Sequence, residues 1–437
     1  MHNLLKIIKL YLIQKELEVN ETQTQILLAR AMKRRGLDDF FEKKLLVAKE
    51  AHLKQGFRHA HFHYLNYRLA EEELDHIMLL RRQGDIQLTP WSRSLTTFFA
   101  AETLRQAAIG ISMEDVSKQV FDAPMLESVL QLVENGYFDE DTEGGVVRVY
   151  YNALMALKTH NVLFFNELKQ LIIKNRYQFP DHEIRNVYLL AINFCIRRIN
   201  ADETAFRQEA FDLYEAGLAN RALFENGILS KFTFKNAISA GTMMGKDEWV
   251  REFLEFGKQF LHPKEREAVY SYNLAVFHFG KGDYSAATVL LQRSDFGDVL
   301  TNLASRALLL RIYFETGADD ALASLCDSFQ TFLNRQKALN NQKDSYLNRI
   351  RFVRKLLRAD LCNPIARQQI HDEMAQTTYL AGRNWLMQKV SFWCLIMWAS
   401  VTKVRAFDSF FGRFDGSEIV KKAFILRGLI FPIIIQN

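Results

Sequence analysis

The clearest pattern in this chain is a pair of short apolar stripes at helical spacing, separated by a polar turn. Leu274, Phe277 and Phe279 form the first stripe, and Leu290 and Leu291 form the second. Because so few residues separate the stripes, they must face each other to leave water. The pattern therefore predicts an antiparallel helical hairpin.

The residues between the two stripes suit a tight turn. Gly282 can adopt the left-handed backbone conformation that ends a helix, and Asp283 can cap the start of the next one. Tyr284 begins the second stripe. Ala286 and Ala287 keep the second helix slim where the first must lie close to it. The turn thus agrees with the hairpin that the stripes predict.

The same pattern recurs 35 residues farther along the chain. The corresponding pairs are Leu274 and Leu309, Phe279 and Phe314, Gly282 and Gly317, Ala286 and Ala321, and Leu290 and Leu325. A weaker copy precedes the first and includes Gly245 and Trp249. Self-similarity at a fixed interval is typical of stacked helical hairpins, and we predict about five of them between residues 147 and 330.

The first copy resembles the tetratricopeptide repeat (TPR) family. The residues that match the family consensus are Leu274, Ala275, Gly282, Asp283, Tyr284 and Ala287. The interval of 35 residues is one longer than the family's usual 34. The resemblance implies an all-α fold, namely a superhelical array of antiparallel helical hairpins, or α-solenoid. It also implies a non-catalytic scaffold whose concave face binds a peptide or protein segment.

Composition favours helices outside the repeats as well. The chain has only 6 Pro and 20 Gly among 437 residues, so few positions interrupt a helix. The N-terminal part suits either further irregular hairpins or a separate bundle. An acidic, glycine-containing stretch over 136–147 is the predicted linker. The predicted regions are N-terminal helices over 1–135, TPR-like repeats over 147–330, C-terminal helices over 331–389 and an apolar tail over 390–437.

The C-terminal tail differs in character from the rest of the chain. Residues 390–402 include no charged residue, and the only charged residue among 424–435 is Arg427. Both runs are shorter than the roughly 20 residues that span a bilayer. We predict that the tail packs on the preceding helices. A contact with a membrane surface or partner, or an altered reading frame, are the alternatives.

Two features of the sequence bear on the cellular location of the protein, namely the spacing of its cysteines and its N-terminal apolar run. The four cysteines are widely separated, which argues against a disulfide framework. Lys6 and Lys9 interrupt the first apolar run, and no small-residue cleavage site follows it. A cytoplasmic location is therefore expected.

No pattern in the chain indicates catalysis. Glycine-rich phosphate loops, nucleophile elbows and paired-cysteine motifs are absent from the sequence. His59 and His63 share one face of a predicted helix, but the His-Glu-x-x-His order of zinc proteases is missing. We therefore expect no enzyme activity, no cofactor and no metal site.

The partner-binding residues are predicted from the resemblance. In TPR arrays the first helix of each hairpin lines the groove, which implies contacts from Lys235, Tyr272, Asn273 and Arg311. A groove that carries Lys235 and Arg311 would suit an acidic peptide or a carboxyl terminus. Charge reversal at Arg311 is then expected to weaken binding.

A second candidate is the basic helix over 349–358. Its Arg351, Arg354, Lys355 and Arg358 stand among apolar residues, and such a helix can meet phosphate or an acidic partner. The alternative function is therefore a regulatory or nucleic-acid-associated protein. The net charge of the chain is only +5, which makes nucleic acid the less favoured partner.

Overall fold

In the computed structural model the chain is built almost entirely of α-helices. The structure describes residues 2–19, 21–79, 88–117, 121–138, 145–293, 299–336, 339–360 and 363–391. Within those ranges, β-structure is limited to one small hairpin, and no helix is long and apolar enough to cross a membrane. The predicted all-α fold class is confirmed. Most of the apolar tail, from residue 392 onward, and residues 139–144 of the predicted linker lie outside the described ranges.

The chain divides into two compact units, residues 1–230 (unit 1) and residues 231–437 (unit 2). This division falls inside the segment in which the repeats are predicted. Unit 1 contains α1 (His2–Val19), α2 (Glu21–Lys33), α3 (Asp38–Lys54), α4 (Ala60–Leu79), α5 (Leu88–Ser117), α6 (Leu126–Glu134), α7 (Gly145–Thr159), α8 (Val162–Asn175), α9 (Asp181–Asn200), α10 (Phe206–Ala219), β1 (Phe224–Glu225) and β2 (Ile228–Leu229). The two strands pair antiparallel, with Phe224 opposite Leu229.

The long helix α5 is central to unit 1. It contacts α4, α7 and α9. Ala100, Ala101, Ala107 and Ala108 are fully buried along it, and such small side chains let neighbouring helices approach closely. A smaller core around Phe41 joins α2, α3 and α4. The N-terminal helices and the first predicted hairpins, α7–α8 and α9–α10, thus belong to one unit.

Unit 2 consists of consecutive helices that pack on their neighbours. The second helix of each hairpin follows the first after a short turn, and the first helices also contact one another, α11 with α13 and α13 with α15. Their bounds are α11 (Lys231–Met243), α12 (Asp247–Lys258), α13 (Arg266–Gly280), α14 (Tyr284–Arg293), α15 (Val299–Thr316), α16 (Asp319–Arg335), α17 (Asn340–Arg358), α18 (Pro364–Gln376) and α19 (383–391).

The turn that ends the first helix is the same in three hairpins of unit 2. Gly245, Gly282 and Gly317 all have positive φ, at 66°, 76° and 67°. In each case the next residue donates its backbone N–H to a carbonyl five positions earlier, which is the Schellman motif. These bonds join Lys246 to Gly241 at 2.9 Å, Asp283 to His278 at 3.0 Å, and Ala318 to Tyr313 at 3.0 Å. The left-handed turn predicted at Gly282 is confirmed.

In the clearest hairpin, the predicted helix cap at Asp283 and the predicted close approach of the two helices are also present. Asp283 Oδ1 accepts the backbone N–H of Ala286 at 3.1 Å and the hydroxyl of Ser285 at 3.0 Å. Ala287 is fully buried, where a larger side chain would hold the two helices apart. The local sequence therefore determines both the end of α13 and the start of α14.

Replacing Gly282 by alanine is expected to lower the free energy of unfolding by about 1 kcal/mol. A Cβ there would meet nothing within 4 Å, so the cost comes from the positive φ alone. Gly56→Ala is the matched control, because its Cβ would also meet nothing but its φ is not in the left-handed region. Urea unfolding of both variants measures the difference. Equal midpoints for the two variants would contradict the strain argument.

Candidate functional site

An open pocket lies over α17 in unit 2. Its volume is about 730 Å³, and its wall includes Gln330 and Asn348. The cationic side chains that line it are Arg351, Arg354, Lys355 and Arg358, and the apolar ones are Leu347, Ile350 and Ala359. We call this site the basic pocket. All four residues of the basic helix that the sequence singled out therefore line one pocket.

Helix geometry explains why these cations share one side of α17. Positions 351, 354, 355 and 358 follow the three- and four-residue spacing of a single helix face. On the other side, Phe352, Val353 and Leu356 are almost completely buried in the core of unit 2. Burial of the apolar face orients α17, so its cations must point outward.

Two carboxylates partly neutralise the basic pocket. Arg354 pairs with Asp327 at 2.5 Å and donates to Gln330 Oε1 at 2.7 Å. Glu373 pairs with Lys355 and lies 3.6 Å from Arg351. No described residue forms an ion pair with Arg358. The pocket thus keeps an excess of positive charge on an exposed surface.

The predicted groove residues of α11 and α13 lie inside unit 2. Tyr272 and Asn273 are 6% and 3% exposed, and Asn273 Nδ2 donates to the carbonyl of Val269 at 2.7 Å. Burial lowers the pKa of Lys235, whose ammonium forms no ion pair with a described residue. A partner could reach Tyr272 and Asn273 only if these helices separated, because their side chains face neighbouring helices.

Arg311, the fourth predicted groove residue, belongs to a cluster around Trp385. Its guanidinium lies 4.9 Å from the Phe279 ring centre and 5.7 Å from that of Trp385. Arg349 approaches the same Trp385 ring to 5.0 Å and donates to the carbonyl of Ala307 at 2.9 Å. Two cations thus stack on one indole, as cation–π contacts do.

One carboxylate serves this cluster. Glu315 accepts the indole N–H of Trp385 at 2.8 Å and the ammonium of Lys389 at 2.5 Å. Its Oε1 is 4.0 Å from Arg311 Nε. Burial, together with the nearby charge of Arg311, lowers the pKa of Arg349 to about 10, a value at which the guanidinium is still charged at pH 7. We call Arg311, Glu315, Arg349, Trp385 and Lys389 the Trp385 cluster.

The structure brings only some of the predicted groove residues together. Tyr272 and Arg311 both lie within electrostatic reach of Arg349. Trp385 and Lys389 were not singled out from the sequence. They stand 70 and 74 residues from Glu315, beyond the last repeat, and no local pattern links them to it.

Metal-ligating side chains do not converge in the part of the chain that the structure describes, where no group of three or more His, Cys, Asp or Glu residues could hold an ion. Comparisons with family models, curated proteins and solved structures found no match to this chain. The described geometry defines an all-α protein of consecutive helical hairpins with a basic pocket on α17.

Proposed function

We propose that this protein is a non-catalytic interaction scaffold, a TPR-like superhelical array whose second unit binds an acidic segment of a protein partner. The repeated Schellman turn and the contacts between successive first helices support the array. The observation that carries the binding role is the basic pocket, where cations surround an apolar floor on an exposed surface.

The chemistry of the basic pocket suits an amphipathic acidic peptide. Apolar peptide side chains would cover Leu347 and Ala359, while carboxylates would meet the surrounding cations. The four cations span about 10 Å along α17, which corresponds to roughly two helical turns of a bound segment. Arg358 offers the strongest contact, because binding it displaces no carboxylate of the described residues.

The proposed contact surface is the basic pocket, and not the groove predicted at Lys235, Tyr272, Asn273 and Arg311. Three of these side chains are mostly buried, and Arg311 is engaged by Phe279 and Trp385. The cations of α17 need no helix movement to reach a partner. The partner would still be bound by the helical array, but at α17, which follows the clearest repeats.

Charge reversal in the basic pocket is expected to weaken the binding of an acidic peptide by about tenfold or more at low salt. The probe is a labelled synthetic peptide of about 15 residues with Leu at helical spacing and Glu between. A second peptide with Gln in place of each Glu tests charge dependence. Fluorescence anisotropy compares the native protein with Arg358→Glu, with the exposed Arg335→Glu of α16 as control.

The native protein should prefer the Glu peptide, and only Arg358→Glu should lose that preference. Equal binding of the two peptides would contradict charge recognition. If Arg311→Glu weakened binding while Arg358→Glu did not, the contact would lie in the groove of the first helices instead.

A nucleic-acid-associated or regulatory role is the second candidate, since the same four cations could meet phosphates. Among the described residues, no aromatic ring lines the basic pocket, and base stacking is the usual support for single-strand binding. Asp327 and Glu373 would also repel a phosphate backbone. Titration of an oligonucleotide at several salt concentrations distinguishes the roles, because contacts to four phosphates give a logarithmic slope near about −3 to −4.

A further inference from the structure

The first helix of the chain exposes an unusual amount of apolar surface. α1 contacts α2, yet none of its described side chains is buried. The large apolar side chains with exposed fractions of 44% to 63% are Leu5, Ile7, Ile8, Tyr11, Leu12 and Ile13. Helices in globular units normally bury such residues, so α1 has a surface that requires another partner.

Most exposed apolar side chains of α1 form one broad face of the helix, and two lysines lie outside it. Leu5, Ile8 and Leu12 follow the spacing of one helical face. Ile7 and Tyr11 extend this face, and at 100° per residue Lys6 and Lys9 lie outside it with Ile13 between them. No Asp or Glu occurs between residues 2 and 15. The first turns of α1 therefore carry a broad apolar face, and the only Lys, Arg, Asp or Glu side chains between residues 2 and 13 are those of Lys6 and Lys9.

We propose that α1 binds the surface of an anionic lipid bilayer and lies in its interface. The apolar face would enter the boundary between headgroups and acyl chains, and the lysines would extend toward lipid phosphates. Each lysine near such a surface strengthens binding through the negative surface potential. The lysines within the apolar run place the helix along the bilayer plane.

Charge favours a lipid surface over a second copy of this chain. Pairing two α1 helices would bring together two segments of like charge, since each carries Lys6, Lys9 and Lys15 and no acidic residue between positions 2 and 15. Anionic lipids supply the missing counter-charge. This inference does not depend on the peptide proposal, because α1 and the basic pocket belong to different units.

The test is co-sedimentation of the full chain with vesicles of phosphatidylcholine, with and without about 30% phosphatidylserine. Binding is expected with the anionic vesicles and should fall at least about tenfold in Leu12→Glu. Lys6→Glu combined with Lys9→Glu should remove the preference for phosphatidylserine. Leu53→Glu is the matched control, since Leu53 is a 68% exposed apolar residue of α3.

None of these positions is buried, so the variants should keep the unfolding midpoint of the native protein. Absence of vesicle binding by the native protein overturns the proposal. Equal binding by Leu12→Glu and Leu53→Glu also overturns it, because the membrane contact would then lie elsewhere. Sedimentation velocity tests the remaining case, a dimer. If the native protein does not bind vesicles but forms a concentration-dependent dimer that Leu12→Glu abolishes, the partner of α1 is a second copy of the chain.

Discussion

Glu315→Ala is expected to lower the free energy of unfolding by about 3 kcal/mol. The Glu315 side chain is 12% exposed, and its carboxylate accepts from both Trp385 and Lys389, whose side chain is 18% exposed. Removing it leaves an indole N–H without its partner. It also leaves Arg311 and Lys389 without the carboxylate that pairs with them. An uncompensated charge of this kind costs more than the contact itself contributes.

Two variants separate charge from hydrogen bonding at this position. Glu315→Gln keeps an acceptor for Trp385 and should lose about half as much free energy. Glu373→Ala removes a carboxylate that also serves two cations, but at a surface where its side chain is 37% exposed, and should cost less than about 1 kcal/mol. Urea unfolding of all three variants gives the comparison. If Glu315→Ala and Glu373→Ala cost the same, the Trp385 cluster is no more than a surface ion pair.

Between pH 4.5 and pH 8, unit 1 is expected to lose about 3 kcal/mol of stability through one carboxyl group, that of Glu183. Burial raises the pKa of Glu183, and although the hydrogen bond from Tyr150 and the charge of Arg105 oppose this effect, the pKa remains at about 7. The Tyr150 hydroxyl donates to Glu183 Oε1 at 2.8 Å. In the unfolded chain the same carboxyl ionises near about pH 4.3.

The sign follows from the protons bound in each state. Between these pKa values the folded protein holds a proton that the unfolded chain has released, so the free energy of unfolding falls as pH rises. The stabilising contribution is complete below the unfolded pKa and is lost as pH passes about 7. Glu183→Gln cannot ionise and keeps an acceptor for Tyr150. It should match the native protein near pH 4.5 and exceed it at pH 8.

Glu72 offers the opposite case as a control. Burial alone would raise its pKa, but hydrogen bonds from Lys33 and Arg30 hold the pKa below the usual range. Its contribution is therefore present above the unfolded pKa and lost as pH falls through the folded value. Glu72→Gln should destabilise the protein most at neutral pH. The free energy of unfolding, measured at several pH values, tests both residues. If it changes with pH in the same way for Glu183→Gln and for the native protein, Glu183 is not the source of the pH dependence.

Much of the helical architecture could be predicted from local sequence. The turn at Gly282 was predictable because a positive φ favours glycine and the Schellman bond spans only five residues. Helix α3, Asp38–Lys54, is accessible to prediction for a similar reason, because its apolar period and the glycine beyond it are both local signals. Such features depend on residues within one or two helical turns of each other.

The pocket could be predicted in part. Arg351, Arg354, Lys355 and Arg358 were visible as one helix face, because their spacing is itself a local property. That they line a pocket with Gln330 depends on how α16 packs beside α17. No spacing along the chain contains that information.

The sequence by itself determined the helices, the hairpin turns and the cationic face of α17, since each follows from periodicity and backbone conformation over a few residues. Tertiary structure alone decided that Tyr272 and Asn273 are buried and that Glu315 meets Trp385 and Lys389. The physical reason is that burial and charge pairing depend on which helix faces meet. Repeated helices have similar apolar faces, so the sequence does not specify which of these faces pack together. Close packing in the folded unit determines those pairs.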